Sequence, residues 1–349
     1  MNVMPGYLKQ ESETMDKAVL SAADKQRLLK EMLYARRFEE RCYEAYMERK
    51  IGGFLHLYSG QEACAHGVLE AARPGHDYVI TGYRDHIHAI KCGSDPKAVM
   101  AELYGKESGC SRGRGGSMHV FDVAARFMGG YALVGGPFPL AVGMAKAIKL
   151  KGGDEIAICF LGDAANNQGT FHESLNIAKV WQLPVLFVCE NNLYGIGTRI
   201  DRSTAVQDQY LRAAAYDIRA NQADGQDIEN VYAAAVQAVE HVRSGKGPYF
   251  LELMTYRYRG HSMSDSNAYR AKSEEKQWLK RDPINILRSR LIDEKSLTLD
   301  AFKKMDKEII DQIETEVIRF AEESPEPQAA DVEKYVLAEN DPYIRGGAR

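Results

Sequence analysis

Two apolar runs that end on polar residues constrain this chain more than anything else in it. Ile156 to Leu161 runs into Gly162-Asp163-Ala164-Ala165-Asn166-Asn167, and Val185 to Cys189 runs into Glu190-Asn191-Asn192. Each has the length and the β-branched, apolar content of a strand buried on both faces. Between them Phe171 to Trp181 has helical spacing, and Pro184 stops it. Strand, helix and strand in that order make a parallel crossover, the unit of an open α/β sheet. An acid then stands at the carboxyl end of one strand and a carboxamide at the end of the next, the edge where ligands of such sheets sit. One carboxylate, one amide oxygen and a nearby main-chain carbonyl suit Mg²⁺, which completes its octahedron with phosphate oxygens and water. The pair predicts a metal–diphosphate site. Its plain structural alternative is that Gly-Asp after a strand is only a turn.

The rest of the chain reads as helices and strands around that unit. Ser21 caps a long amphipathic helix with Asp24 as its capping partner, and Gly52-Gly53 ends it. Ser59-Gly60-Gln61-Glu62 reads as a second capping box, opening a helix to about Ala72. Asp77 to Thr81 is a short strand, Asp95-Pro96 starts a helix through Leu103, and Pro139 to Leu150 is another helix. Ile228 to Arg243 is helical and Pro248 to Thr255 a strand. Farther on, Phe302, Met305, Ile309, Ile313, Val317 and Phe320 form one apolar stripe between charged faces. The expectation is one α/β core, residues 51–272, with helical extensions at 1–50 and 273–349.

At 349 residues the chain can bury a full core, and 27% charged with 45% apolar residues is ordinary globular composition. The net charge of −4 argues against nucleic acid or an anionic membrane as partner. Arg112-Gly113-Arg114-Gly115-Gly116 then reads as a glycine loop with two cations and not as an RNA-binding segment. The six cysteines at 42, 64, 92, 110, 159 and 189 form no Cys-x-x-Cys pair, which fits a reducing compartment and neither disulfides nor zinc. Lys9, Glu11, Glu13 and Asp16 interrupt the start, so no targeting segment is seen. Tyr131 to Leu150 carries two prolines, Lys146 and Lys149, and is no membrane span.

Four further clusters have the residue types of a phosphate and substrate site. They are His56-Leu57-Tyr58-Ser59-Gly60-Gln61-Glu62, Thr81-Gly82-Tyr83-Arg84-Asp85-His86, Gly109 to His119 with Arg112 and Arg114, and Tyr256-Arg257-Tyr258-Arg259-Gly260-His261-Ser262. Each alone has a structural reading: His56 as a satisfied surface residue, Glu62 as a helix cap and not a general acid, the strand-end Arg and His as solvated groups. His66, His76, His172 and His241 lack such company and read as structural. Together, three strand ends and a cap loop all offer cations or metal ligands in an otherwise acidic chain. A Gly-x-x-x-x-Gly-Lys-Ser/Thr loop, His-Glu-x-x-His and a helix-opening Gly-x-Gly-x-x-Gly are all absent.

With these motifs in this order, the chain resembles the alpha subunits of the thiamin diphosphate-dependent pyruvate dehydrogenase component, a branch of the 2-oxo acid dehydrogenase family. The likeness runs from about Leu20 to Pro342. It includes His-Leu-Tyr-x-Gly-Gln-Glu-Ala (56–63), Tyr-Arg-x-His (83–86), Gly-Gly-Ser-Met-His (115–119), Glu-Asn-Asn-x-Tyr-Gly-x-Gly-Thr (190–198) and Tyr-Arg-Tyr-Arg-Gly-His-Ser-Met-Ser-Asp (256–265). The family's diphosphate fingerprint, Gly-Asp-Gly followed by Asn-Asn, departs here at Ala164. The tail is most similar to the bacterial and plastid branch.

The resemblance implies a thiamin diphosphate-binding fold, a doubly wound and mostly parallel sheet with helices on both faces. It implies Mg²⁺ on Asp163, Asn192 and the carbonyl of Tyr194. Tyr83, Arg84, Arg257 and His261 would contact the diphosphate along with Ala164 and Ala165, and Ala132 and Val134 would line the middle of the cofactor. His56 would face the substrate, and His261 would hold the diphosphate loop and assist acyl transfer. The activity implied is oxidative decarboxylation of pyruvate with transfer of the acetyl group to lipoyl groups. The partners implied are a beta subunit sharing the active site, a lipoyl-bearing acyltransferase and a small 2-oxo acid. Acetoin or branched-chain 2-oxo acid complexes stay open as alternatives, as does a non-catalytic subunit of the same fold. The compartment implied is the bacterial cytoplasm or the plastid stroma. Relatives of the mitochondrial branch are switched by serine phosphorylation near Ser262; here the second such serine is Ala268 and the loop is one residue shorter, so the switch is not carried over.

Overall fold

The structure, a computed structural model, describes residues 18–331 and Lys334. Lys9, Glu11, Glu13 and Asp16, and the end of the resemblance at Pro342, lie outside the described residues. The strands are β1 (Tyr78–Gly82), β2 (Phe127–Tyr131), β3 (Ala157–Gly162), β4 (Val185–Asn191), β5 (Tyr194–Gly195), β6 (Thr198–Arg199), β7 (Arg219–Asp224) and β8 (Tyr249–Met254). Six of them form one parallel sheet in the order β2-β1-β3-β4-β8-β7, and β5 and β6 form a small antiparallel hairpin.

The two diagnostic runs are the central strands. Their side chains alternate between two cores: Ile158, Phe160, Leu186 and Val188 enter one, while Ala157, Cys159, Leu161, Val185, Phe187 and Cys189 enter the other. A strand covered on both sides has no polar face to show, which is why each run is continuous in sequence. The helices are α1 (Ala22–Met47), α2 (Glu62–Ala71), α3 (His86–Cys92), α4 (Pro96–Leu103), α5 (Pro137–Lys151), α6 (Gly169–Val180), α7 (Ile228–Arg243), α8 (Lys272–Leu279), α9 (Pro283–Asp293), α10 (Leu299–Gln312) and α11 (Arg319–Glu323). Helices α5 and α6 supply Phe138, Ala141, Phe171 and Leu175 to the second core; α2 and α7 supply Val68, Leu69, Val231 and Ala235 to the first. The long α1 packs outside them against α9 and α10. Among the described residues no helix is long and apolar enough to cross a membrane, and all six cysteines are free thiols.

The sheet order positions a site. From β1 the chain passes to β2 on one side, and from β3 it passes to β4 on the other. Loops leaving the carboxyl ends of β1 and β3 therefore diverge and leave a crevice between them.

Several local expectations change. Helix α1 does carry its cap, with Ser21 Oγ accepting from the Asp24 amide at 3.1 Å, but it ends at Met47, because Arg49 turns left-handed at φ 64° before the glycine pair is reached. Ser59 does not cap α2. Gln61 stands at that cap without a side-chain bond, and the Glu62 carboxylate accepts from the Gly60 amide at 3.1 Å while Arg36 clamps it. Arg36 also reaches Asp282 at 2.9 Å, so one guanidinium ties α1, α2 and the cap of α9 together.

The C-terminal stripe breaks at one place. Residues Ile313–Ile318 form a π-helical stretch, and each added residue per turn rotates the remainder of the helix by about 100°. Phe320, expected on the buried stripe, is 38% exposed, while Ile318 and Ala321 are buried instead. Strands β2 and β7 have no sequence signature, since Phe-Met-Gly-Gly-Tyr and Arg-Ala-Asn-Gln-Ala-Asp lack an apolar run and both are edge strands. In β2 the glycine is required: a Cβ on Gly130 would lie 1.8 Å from a carboxylate oxygen of Asp85.

Candidate active site at the carboxyl edge of the sheet

Asp163 and Asn192 follow β3 and β4 directly, and the register pairing Gly162 with Glu190 brings them side by side. The Asn192 amide donates to Asp163 Oδ1 at 3.3 Å. Asn192 Nδ2 donates to Gln61 Oε1 at 3.0 Å, which fixes the amide plane and leaves Asn192 Oδ1 buried with no partner. Asp163 is 2% exposed and makes no ion pair among the described residues; burial alone pushes its carboxyl up to about 6. A buried carboxylate short of a counter-charge beside an unpartnered carboxamide oxygen is a donor set that fits a hard divalent cation. Ala164 sits in the 3₁₀ turn Asp163–Asn167 with no positive φ, so its backbone adopts what a non-glycine residue allows. Its methyl occupies the space over Gly195, where a Cβ would come within 2.5 Å of it.

Positive charge gathers at the ends of β1 and β8. The Arg84 guanidinium donates to the carbonyls of Leu57 at 2.6 Å and His261 at 2.8 Å. Arg257, 1% exposed, donates to the carbonyls of Ile196 at 2.8 Å and Arg259 at 3.2 Å. Arg270, buried beside it, reaches the carbonyls of Arg257 and Arg259 and lies over the rings of Tyr194 and Tyr256. None of the three has a carboxylate within ion-pair distance among the described residues. Burial and the Arg257 charge pull Arg84 down to about 10, still cationic at neutral pH. Guanidinium groups so buried and so unopposed are an anion site in waiting.

Three rings complete the wall. His56 meets Tyr83 at 4.6 Å and His261 at 5.1 Å between centroids, and Tyr83 meets His261 at 5.4 Å. Burial first, then the Arg84 charge, lowers His56 to about 2 and His261 to about 4. Both are neutral at pH 7, each with one ring nitrogen to donate and one to accept. The His261 amide donates to Asp265 Oδ2 at 2.6 Å, which sets the loop that carries it.

Asp163, Asn192, Arg84, Arg257 and the three rings line a single cavity of about 590 Å³, and Arg270 stands behind Arg257 outside its lining. His56, Tyr83, Arg84, Ala132, Val134, Asp163, Ala164, Ala165, Asn192, Tyr194, Arg257 and His261 are brought together there, from five strand ends and the loop before α2. The cavity also takes in Gln61, His88, Glu190, Phe54, Leu133 and Ile196, to which sequence reasoning gave no role in the site. Gln61 and Glu190 stand within motifs legible in the sequence, but only the folded contacts reveal that Gln61 orients Asn192 and that Glu190 is engaged by Tyr58 Oη and His88 Nε2. His66, His76, His172 and His241 do not line it.

The glycine-rich cluster turns out otherwise than expected. Its amides already hold an anion, the buried carboxylate of Glu102: Ser111 and Gly113 donate to Oε2 at 2.8 Å, and Gly115 and Gly116 donate to Oε1 at 2.7 and 3.1 Å. Arg114 pairs with Glu107 at 3.0 Å. The loop is folded around its own chain and offers no phosphate cradle; only Met118 at its end reaches the cavity.

The family described as "Dehydrogenase E1 component" matches residues 30–330. The chain is 45% identical over 303 residues to the "Pyruvate dehydrogenase E1 component subunit alpha" of Rickettsia felis, covering 87% of this chain and 92% of the relative. It is 46% identical over 321 residues to the protein of the same name from Rhizobium meliloti, covering 92% of each. With the one from Porphyra purpurea it shares 40% over 320 residues, 90% of this chain and 92% of the relative.

Proposed function

This chain belongs to the family of dehydrogenase E1 components, and from that premise we propose that it is the alpha subunit of a pyruvate dehydrogenase. It is an oxidoreductase subunit that acts in the oxidative decarboxylation of pyruvate and in transfer of the acetyl group to a lipoyl group on an acyltransferase. One observation carries the reading: a single cavity holds two arginines with no carboxylate partner among the described residues and a buried Asp163–Asn192 oxygen pair with no cationic side chain bound to it. An anion half and a metal half in one crevice suit a metal-bound diphosphate.

In this reading Asp163, Asn192 and the main-chain oxygen of Tyr194 hold Mg²⁺. Tyr83, Arg84, Arg257 and His261 contact the diphosphate, with the amides of Ala164 and Ala165 beside them, and Ala132 and Val134 line the middle of the cofactor. Thiamin diphosphate, when bound, supplies the electron sink for decarboxylation of a 2-oxo acid. His56 faces the substrate, and the neutral His56 and His261 rings can each hold or pass a proton. We keep residues 51–272 as the cofactor-binding unit, with 1–50 and 273–349 as helical extensions, and place the protein in the bacterial cytoplasm or plastid stroma.

A carboxylic acid is also needed against the aminopyrimidine ring. The acids lining the cavity are Asp163 and Glu190; Glu190 is tied to Tyr58 and His88, and Glu62 lies outside, paired with Arg36. We therefore assign that acid to the beta subunit, with the active site shared between the two chains. The test is to purify the tagged chain with its partner and measure thiamin diphosphate- and Mg²⁺-dependent CO₂ release. Pyruvate is expected to outrun a branched 2-oxo acid and acetoin, and the single chain to be inactive. Turnover by the single chain would overturn the shared site, and none with any substrate the catalytic reading.

A further inference from the structure

We infer that Glu39, His86 and Ser117 form a buried positioning chain that holds His56 toward the cavity; it rests on the reading of His56 as the group facing the substrate. The three side chains come from α1, from the first residue of α3 and from the end of the glycine loop, and are 1%, 0% and 5% exposed. His86 Nδ1 lies 3.1 Å from Glu39 Oε1 and, since a carboxylate only accepts, it carries the proton there. His86 Nε2 lies 2.9 Å from Ser117 Oγ and 3.2 Å from the Ser117 carbonyl. Ser117 Oγ in turn accepts from the His56 amide at 3.1 Å.

This is a connected path; the Ser117 hydroxyl link is satisfied in either charge state of the ring, while the Ser117 carbonyl has a donor only when Nε2 carries a proton. With His86 neutral, Nε2 accepts a hydrogen bond from the Ser117 hydroxyl; with His86 protonated, Nε2–H donates to Oγ. In both cases a lone pair on Oγ stays free for the His56 amide. Glu39, Cys42 and His86 could also be read as metal ligands, being within 4.8 Å of one another. Both nitrogens of His86 are already engaged, so the ring has no lone pair left for an ion. None of the three lines the cavity, so they act only through what they hold. The Glu102 cradle fixes Gly115 and Gly116 immediately before Ser117, which anchors the hydroxyl on a rigid turn. His56 in turn packs against Tyr83 and His261, so a shift of its backbone displaces the ring from both.

The experiment uses the complex of this chain with its catalytic partner subunit. Ser117→Ala is compared with the parent, with His56→Ala and with the double variant, and Ser117→Cys keeps the bulk should the alanine disturb folding. Three quantities are read: kcat with pyruvate, retention of thiamin diphosphate with Mg²⁺, and hydrogen exchange of the His56 amide. Ser117→Ala should lower kcat by about tenfold and speed exchange of that amide by a similar factor, with cofactor retention within about twofold. The double variant should be no slower than His56→Ala, because a residue acting through His56 has nothing left to act on. The inference is overturned if the two losses multiply, if cofactor retention falls with kcat, or if exchange at His56 is unchanged. A parent complex that does not decarboxylate pyruvate would sink the functional reading instead, while the exchange measurement would still decide the chain.

Discussion

The Ala164 methyl, the one departure from the family fingerprint, fits in the space left by Gly195. The third fingerprint position carries a methyl here, and the facing position on β5 has none. Gly195→Ala would drive two methyl carbons to 2.5 Å, and overpacking of that kind costs about 1–3 kcal/mol. We expect the variant to lose several-fold or more in Mg²⁺-dependent retention of thiamin diphosphate, read by equilibrium dialysis. Ala164→Gly in the same chain should restore most of it. If the double variant binds no better than the single one, the methyl contact is not the cause. Glycine at 195 could be called a turn residue from sequence; that the methyl of Ala164, thirty-one positions earlier, packs over it could not.

The glycine loop is an element held by a single carboxylate. Four amides converge on Glu102, so Glu102→Gln would turn an NH₂ toward donors that need an acceptor. A buried group left so opposed costs about 1–3 kcal/mol or more, and the change should appear as a lower melting temperature with faster hydrogen exchange across 109–119. Unchanged exchange there would mean that the cradle does not order the loop. The C-terminal helix carries a second element-scale prediction. Because the π turn re-registers the stripe, Val317→Asp buries a charge and should cost several kcal/mol, whereas Phe320→Asp, at a half-exposed position, should cost on the order of 1 kcal/mol. Urea midpoints of the two variants check the order, and equal losses would contradict the register.

At the scale of the molecule, each buried neutral imidazole withdraws stability from the fold as the pH falls. His66, 3% exposed, donates from Nδ1 to the Glu62 carbonyl at 2.7 Å, and burial, then the Lys91 charge, lowers it from 6.5 to about 4. Its folded value lies below its unfolded value, so the unfolded chain takes up the proton first. The contribution is fully present above pH 6.5 and is lost as pH falls toward 4. His56 and His261 shift in the same direction and add to it. The raised carboxyls of Asp85, Asp163 and Glu252 work in the opposite direction over this range, so the check is a difference: stability of cofactor-free His66→Gln relative to the parent should rise as pH falls from 6.5 to 4. A His66→Gln curve parallel to the parent would show that His66 titrates normally in the fold.

The central crossover and the chemistry on its edge are legible in the chain itself. Burial on both faces leaves strands β3 and β4 no choice but unbroken apolar runs, and a run that ends on Asp or Asn announces itself. The same holds for α7 and β8, whose patterns are strong and local. Everything that depends on partners far apart in the chain waits for the packed molecule. The edge strands β2 and β7 need little apolar content, because pairing and not composition recruits them. The glycine loop and the Glu62 cap read as anion or helix-start signals until Glu102 and Arg36 arrive from elsewhere to claim them. Arg84 and Arg257 become an anion site only because the fold buries them without carboxylates, and the sign and solvation of a charge's neighbours are properties of three-dimensional packing.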